Sequence, residues 1–207
     1  VVALVRPRIK RIVREIYELR ITLGGIDPPV WRLVHVPADA TLHQLHDLIQ
    51  AIMPWNGAHL YEFWARDQRI GLPDEEAEDN EDVLDSREVR LLDLGLRRRS
   101  WFIYVWDFGD DWRHTIQLVN RFPAESDATY PYCVDGGRAA PPDDCGGPSG
   151  YLHMLSALRD PAHAEHESWK TWVGDSFDPE AFDVDIANHD LRVLSRSWRG
   201  PQRKSPR

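Results

Sequence analysis

Three carboxylates and an imidazole fall close together in the stretch YVWDFGDDWRH, running from Tyr104 to His114. Asp107, Asp110 and Asp111 are hard oxygen donors suited to Mg²⁺ or Ca²⁺, and His114 adds a nitrogen. The stretch also spells DFG and GDD, letters found in kinase and polymerase signatures. A kinase needs a Gly-rich loop, a strand lysine and an HRD loop as well, and none is present. A chain of 207 residues has no room for polymerase fingers and thumb. Two readings remain: a smaller metal site, or carboxylates that satisfy turn amides. His46 and His59 can reach the same place if the helix carrying His46 packs on the sheet carrying His114. The metal set expected on this reading is His46, Asp107, Asp110 and His114; three histidines, or histidines with Asp107, would make a site of the catalytic type with an open position. The competing reading makes His114 a core histidine bonded to Tyr104 or to a carboxylate.

A second dense stretch is PPDDCGGPSG, from Pro141 to Gly150. Its glycines let the backbone turn tightly ahead of a helix, whose exposed amides can take an anion. Cys145 beside that terminus is a candidate for a lowered pKa. A nucleophile also needs a base, and His153 is the only nearby histidine. Asp143 and Asp144 holding backbone amides in a packed loop is the preferred account. Zinc through Cys133 and Cys145 lacks two ligands.

Local patterns say which elements carry these residues. Tyr17, Leu19, Ile21 and Leu23 alternate with polar residues as a half-buried strand. Gly24-Gly25 and Asp27-Pro28-Pro29 turn the chain into a second strand over Val30–Val36. Thr41 and Gln44 fit a capping box for a helix with Leu42, Leu45, Leu48, Ile49, Ile52 and Met53 on one side, stopped by Pro54. His43, Asp47 and Gln50 form its wet face, and His46 sits at the margin. His59–Trp64 and Gln68–Leu72 read as paired strands. Val89 to Leu94 is a short element of either type. Ser100–Trp106 and Trp112–Phe122 are strong strands joined by a five-residue loop, Asp107 to Asp111. That loop sets Trp106 against Trp112, Tyr104 against His114 and Phe102 against Ile116. A tight turn would mix the two faces. Gly109 is expected at positive φ, and Asp107 and Asp110 are expected to accept turn amides. Ser149 caps a helix through Leu158, a second helical piece covers Glu165–Val173, and Asp178–Asp183 starts another short element.

Mixed strands and helices without a βαβ rhythm predict an α+β fold. The domain expected is one α+β unit over 15–195, with an acidic loop at 73–86 and a Pro/Gly loop at 123–148. A basic arm over 1–14 precedes it and a disordered basic tail over 196–207 follows. Acids outnumber bases, 34 to 25, for a net charge of −9, which argues against nucleic acid binding over the whole surface. Residues 74–93 hold ten acids, whereas 192–207 hold six bases and no acid. No apolar run is long enough for a membrane span. The opening VVALVRPRIKRIVREIY lacks the pattern of a signal peptide, and its Val1 suggests a fragment or an unusual start codon. With only two cysteines, the expected compartment is the reducing cytoplasm.

Five stretches in register resemble one bacterial family. They are IDPPVWR at Ile26–Arg32, TLHQLHDLIQ at Thr41–Gln50, HLYEF at His59–Phe63, YVWDFGDDWRH and PPDDCGGPSGY. Together they resemble the plasmid pRiA open-reading-frame-three-like family, over about Tyr17 to Leu194. The resemblance implies a single-domain roll with a mixed or antiparallel sheet and a β-grasp-like hairpin and helix. It implies a passenger protein of mobile elements, sometimes labelled a TnpR resolvase. It carries no catalytic residues over. Its motif positions here are Trp31, Arg32, His46, His59, Asp107, Gly109, Asp110, Trp112, His114, Asp144, Gly146 and Gly147. Asp143 stands where the family usually has Glu, and Ala140 where cysteine is common, which weakens a Cys-rich metal site. The arginine run Arg97-Arg98-Arg99 has no nucleophile marked beside it, which argues against recombinase chemistry.

The leading expectation is a non-enzymatic binding or accessory module for a protein or nucleic-acid partner. Its surface would be the sheet end carrying the Asp107–Asp111 turn and the Asp143–Gly147 loop. The candidate binding residues are Trp31, Arg32, His59, Asp107, Asp110, Trp112, His114, Asp143, Asp144, Cys145, Gly146 and Gly147, with Trp106 and Tyr151 as further aromatic contacts. The first alternative is a small metal-dependent hydrolase or nuclease using Asp107, Asp110, His114 and Asp144, the one reading that needs a cofactor, a divalent metal. The second is a DNA-contacting, resolvase-like accessory protein using its basic termini.

Overall fold

A computed structural model describes residues 14–73 and 83–198. Most of the expected basic arm, of the acidic loop and of the basic tail lies outside these residues. Eight strands in the described residues form one mixed sheet: β1 (Glu15–Leu23), β2 (Trp31–Pro37), β3 (Tyr61–Ala65), β4 (Gln68–Gly71), β5 (Val83–Asp85), β6 (Trp101–Trp106), β7 (Trp112–Pro123) and β8 (Tyr132–Gly137). Their spatial order is β5-β4-β3-β6-β7-β1-β2-β8. Neighbours are antiparallel except β4 and β5, which run parallel. The helices are α1 (Leu42–Ile52), α2 (Gly147–Arg159), α3 (His166–Val173) and α4 (Val184–Trp198). The fold is a single-domain α+β arrangement.

The capping box of α1 forms as the sequence requires. Thr41 Oγ1 accepts from Gln44 N (3.1 Å) and Gln44 Oε1 from Thr41 N (3.0 Å). The helix buries Leu42, Leu45, Leu48, Ile49 and Ile52 in a core shared with Leu19, Ile21, Leu23, Phe102, Tyr104, Trp106 and Ile116. The β6–β7 hairpin has the predicted register: Trp106 faces Trp112, Tyr104 faces His114 and Phe102 faces Ile116. Alternation then buries Phe102, Tyr104, Trp106, Trp112, His114, Ile116 and Leu118 on one side. Trp101, Ile103, Arg113, Thr115 and Gln117 take the other side, which is largely open.

Several local expectations are corrected. Gly109 does not carry the positive φ of the hairpin loop; Asp107 (φ 53°) and Asp111 (φ 54°) do. The Pro/Gly loop contains an edge strand, β8, paired to β2. Its six residues end in Asp-Gly-Gly, which hides it from a propensity reading. Val83–Asp85, expected inside the acidic loop, is a strand. Leu91–Leu94 is a 3₁₀ turn. Helix α2 starts at Gly147 with Gly146 as its N-cap and no side-chain cap, so Ser149 lies inside it. Asp183 accepts from Asp185 N (2.8 Å) and Ile186 N (3.2 Å) and so starts α4, which continues past Ser195 to Trp198. Asn188 on α4 covers part of the β8 edge, pairing with both Cys133 N and Cys133 O (2.8 Å each).

Candidate functional site

The Asp107–Asp111 loop is built around one carboxylate. Asp107 Oδ1 accepts from Gly109 N (2.9 Å) and Asp110 N (3.3 Å), which closes the turn. Asp107 N donates to Leu60 O (3.0 Å), which draws the preceding segment, with His59, alongside. The Asp110 carboxylate does not bond within the turn. Its Oδ2 reaches Gly146 N (3.2 Å) and ties the hairpin to the second dense stretch. The two loops pack so closely that a Cβ on Gly147 would collide with the Asp110 carbonyl, and Gly147 also has φ +68°.

This docking gathers three acids around one histidine. His59 Nε2 lies 3.3 Å from Asp144 Oδ1, 3.6 Å from Asp143 Oδ1 and 3.8 Å from Asp107 Oδ2. Ligand atoms of His59, Asp107 and Asp144 all lie within 4.8 Å of one another. That spacing suits donors around one ion with bonds of roughly 2.0–2.4 Å. Both Asp143 oxygens are shut off from solvent and have no hydrogen-bond partner, although 21% of the side chain is exposed. Burial and then the neighbouring Asp144 charge push the Asp143 pKa above the ordinary carboxylate value, against the pull of His59 and of the nearby Asp144 backbone N–H. A shielded carboxylate without a donor in hydrogen-bond geometry is costly, and either a proton or a cation relieves it.

The metal set expected from sequence does not assemble. His114 is fully buried, packed edge-on to Trp55 with ring centroids 5.5 Å apart. Neither ring nitrogen of His114 reaches a partner with hydrogen-bond geometry, although the Trp112 and Tyr104 backbones lie close enough to oppose the effect of burial. Burial lowers its pKa to about 3. The alternation that pairs it with Tyr104 points it into the core rather than at the loop. His46 belongs to a different network. Gln50 Oε1 accepts from Gly57 N (3.1 Å), and Gln50 Nε2 donates to Tyr104 Oη (3.0 Å). Tyr104 Oη is therefore left to donate to His46 Nδ1 (2.7 Å), which puts the remaining imidazole proton on Nε2. Burial, and secondarily His43, lower the His46 pKa to about 3, so the ring is neutral. Gln50, expected on the wet face, is buried to make this network.

Other candidates separate in the same way. Trp106, Trp112 and Tyr151 are core residues, with Trp55 stacked on Trp106 at 4.2 Å between centroids. Arg32 is 1% exposed and holds backbone carbonyls. Trp31 lies on the open side of the sheet, under the Arg20 guanidinium at 4.0 Å. Cys145 is buried, and its pKa goes up to about 12, first by burial and then by Asp110, so the helix terminus does not make it a thiolate. Gly146 and Gly147 shape the loop. Of the named residues, His59, Asp107, Asp143 and Asp144 converge.

Sequence reasoning missed the cleft beside them. A pocket of about 630 Å³ is lined by His43, His46, Asp47, His59, Tyr61 and Glu62, among others. His43 Nδ1 meets Tyr61 Oη (2.7 Å), which meets Ser86 Oγ (2.8 Å). The signal was present in the spacing of His43 and His46 on α1, since residues three apart share a helix face. A second group, His153, His163 and Glu165, is largely exposed, and its members already bond one another.

Fold and site together define an α+β chain with a carboxylate–imidazole cluster at one end of a sheet covered mainly on one side. The chain belongs to the Plasmid pRiA4b ORF-3-like protein family, whose model matches residues 15–186. It is 38% identical over 192 residues to the uncharacterized protein y4hQ of Sinorhizobium fredii, covering 90% of this chain and 96% of that one. It is also similar to the crystal structure of MM3350, a protein of unknown function from Methanosarcina mazei Go1. The TM-score is 0.76 at 35% identity, over 84% of this chain and 97% of that one. Among the described residues, no helix is long and apolar enough to cross a membrane.

Proposed function

We propose that this chain is a divalent-cation-dependent binding module. His59, Asp107, Asp143 and Asp144 hold the ion, and the adjoining cleft receives the partner or ligand. The observation that carries this reading is the Asp143 carboxylate, shielded and without a donor, beside two further acids and an imidazole. One nitrogen and three carboxylates suit Mn²⁺, Zn²⁺ or Fe²⁺ better than Ca²⁺, which prefers an all-oxygen shell of higher number. The site is drawn from segments distant in sequence, so occupation favours the folded state. Binding is preferred over hydrolysis because Asp110 and His114, two of the four residues expected to act in a hydrolase, are engaged elsewhere.

The test is thermal unfolding of chelator-stripped protein against added Mn²⁺, Zn²⁺ and Mg²⁺, with bound metal measured after dialysis. A cation at about 100 times its Kd stabilises by about 2.7 kcal/mol, a rise of roughly 5–10 °C for a domain of this size. His59→Gln and Asp143→Asn should each abolish the rise while leaving the stripped protein folded. No bound metal and no rise with any of the three cations would overturn the proposal. So would a rise that survives both substitutions.

A further inference from the structure

The side of the sheet turned away from α1 carries a different chemistry, independent of the metal reading. Trp101, at the start of β6, is 63% exposed. Two grooves meet at it. One, of about 500 Å³, is lined by Arg66, Arg97, Arg98 and Arg99 together with Trp101. The other, of about 470 Å³, runs along Arg20, Thr22, Ile103, Thr115 and Gln117 from the same Trp101. No Asp or Glu lines either groove among the described residues. This happens on a chain with a net charge of −9.

Strand register explains the alignment. Trp101 lies opposite Gln117, and Gln117 lies opposite Arg20, so the indole and that guanidinium share one cross-strand row. The arginine run leads directly into the same row. Arg98 Nε is anchored on Val119 O (3.2 Å) and Arg66 on Gly95 O (2.8 Å). Among the described residues, none of these five arginines forms an ion pair with a carboxylate.

Chemistry selects the occupant. Cations spaced around an exposed flat indole match a chain of phosphates carrying unstacked bases. A duplex hides its base faces and would leave Trp101 unused. A second copy related by a two-fold axis would set this arginine patch against itself. An acidic peptide would match the charge but offers the indole no planar partner. We propose that this open sheet surface, centred on Trp101, binds single-stranded nucleic acid, with phosphates along Arg20 and Arg97–Arg99 and a base stacked on the indole.

The test uses the full chain and a fluorescent single strand of about 12 nucleotides, read by anisotropy at about 50 mM salt. DNA and RNA strands of one sequence are both used. Binding should weaken steeply as salt rises. Trp101→Ala should raise Kd about tenfold, the scale of one lost stack, and Trp101→Phe should recover most of it. Arg97→Gln combined with Arg99→Gln should lower the slope of log affinity against log salt by about 0.7 per lost phosphate contact. Trp101 is exposed, so its variants should melt as the parent does. The proposal is overturned by any of four results: no binding of either strand at low salt, equal affinity for a duplex of the same length, a Trp101→Ala variant that binds unchanged, or displacement of the strand by polyglutamate that is equally effective with and without Trp101.

Discussion

Lowering the pH from 6.5 toward 3 should destabilise this fold through two histidines, His46 and His114, whose pKa values are both lowered from 6.5 to about 3. The physical cause is burial: His46 is 6% exposed and His114 is 0% exposed. In the unfolded chain each takes up a proton near its ordinary value; in the folded chain neither does until far lower pH. The unfolded state thus binds more protons throughout this window. Their contribution is complete above pH 6.5 and is lost as the pH falls, by up to about 1.4 kcal/mol per pH unit for each ring. Asp143 and Asp47 act in the opposite sense, because their raised pKa values make the folded state the better proton acceptor, while Asp85, lowered by Arg87, acts with the histidines. The two histidine shifts are the largest of these, so acid destabilises. Urea unfolding midpoints measured from neutral to acid pH check this. His114→Leu should remove about one proton from the slope, and it breaks no hydrogen bond of normal geometry because neither His114 ring nitrogen makes one. An unchanged slope in that variant would show that His114 is protonated in the fold.

Arg32→Met should cost about 3 kcal/mol or more. The guanidinium is buried without a carboxylate. Nε donates to Ile52 O (3.1 Å), at the C-terminus of α1 where carbonyls lack helical partners, and Nη1 donates to Trp31 O (2.8 Å) and Gly137 O (3.1 Å). Its plane also lies 3.9 Å from the Phe182 ring. Burial lowers its pKa to about 10, so the charge is retained at neutral pH. Methionine fills much of the volume but satisfies none of the carbonyls. Lysine keeps the charge but loses the planar fork, and should recover only part of the stability. Gly136 packs against the same group: a Cβ there would press on Phe182 and Arg32. Urea unfolding that places Arg32→Met within about 1 kcal/mol of the parent would reject this account.

The sequence reveals most where one face of an element is strongly marked. Leu19, Ile21 and Leu23 give β1, the Thr41–Gln44 box gives the start of α1, and the aromatic alternation of β6 and β7 sets their register to the residue. It reveals least where partners are distant. Strand β8 is stabilised by β2 on one side and Asn188 on the other, neither visible in Tyr132–Gly137 itself. The site shows the same division. His59, Asp107, Asp143 and Asp144 each stand out by type, yet grouping them required knowing that the Asp110–Gly146 contact docks two loops. His114 was drawn toward the metal set by nearness in sequence, while the register that points it inward was already legible. His43 and His46 share a helix face, but nothing local shows that Tyr61 and Tyr104 complete their surroundings.

Strand β1 has a consequence for how the protein is made. It lies between β2, its immediate neighbour in the chain, and β7, which it meets as Glu15 against Pro123 through Leu23 against His114. On a ribosome, the first hairpin therefore emerges with both edges unpaired, the longer one awaiting β7 and the other β8. At about 5–20 residues per second, the stretch from Pro37 to Trp112 takes roughly 4–15 s to synthesise. During that interval the apolar side of β1 and β2 has only α1 to cover it, and the bare β1 edge is a template for unwanted pairing. Nascent chains stalled before Trp112 should be cut readily by protease, and chains extended past Pro123 should resist. Equal resistance of the two would mean that the hairpin and α1 fold without β7.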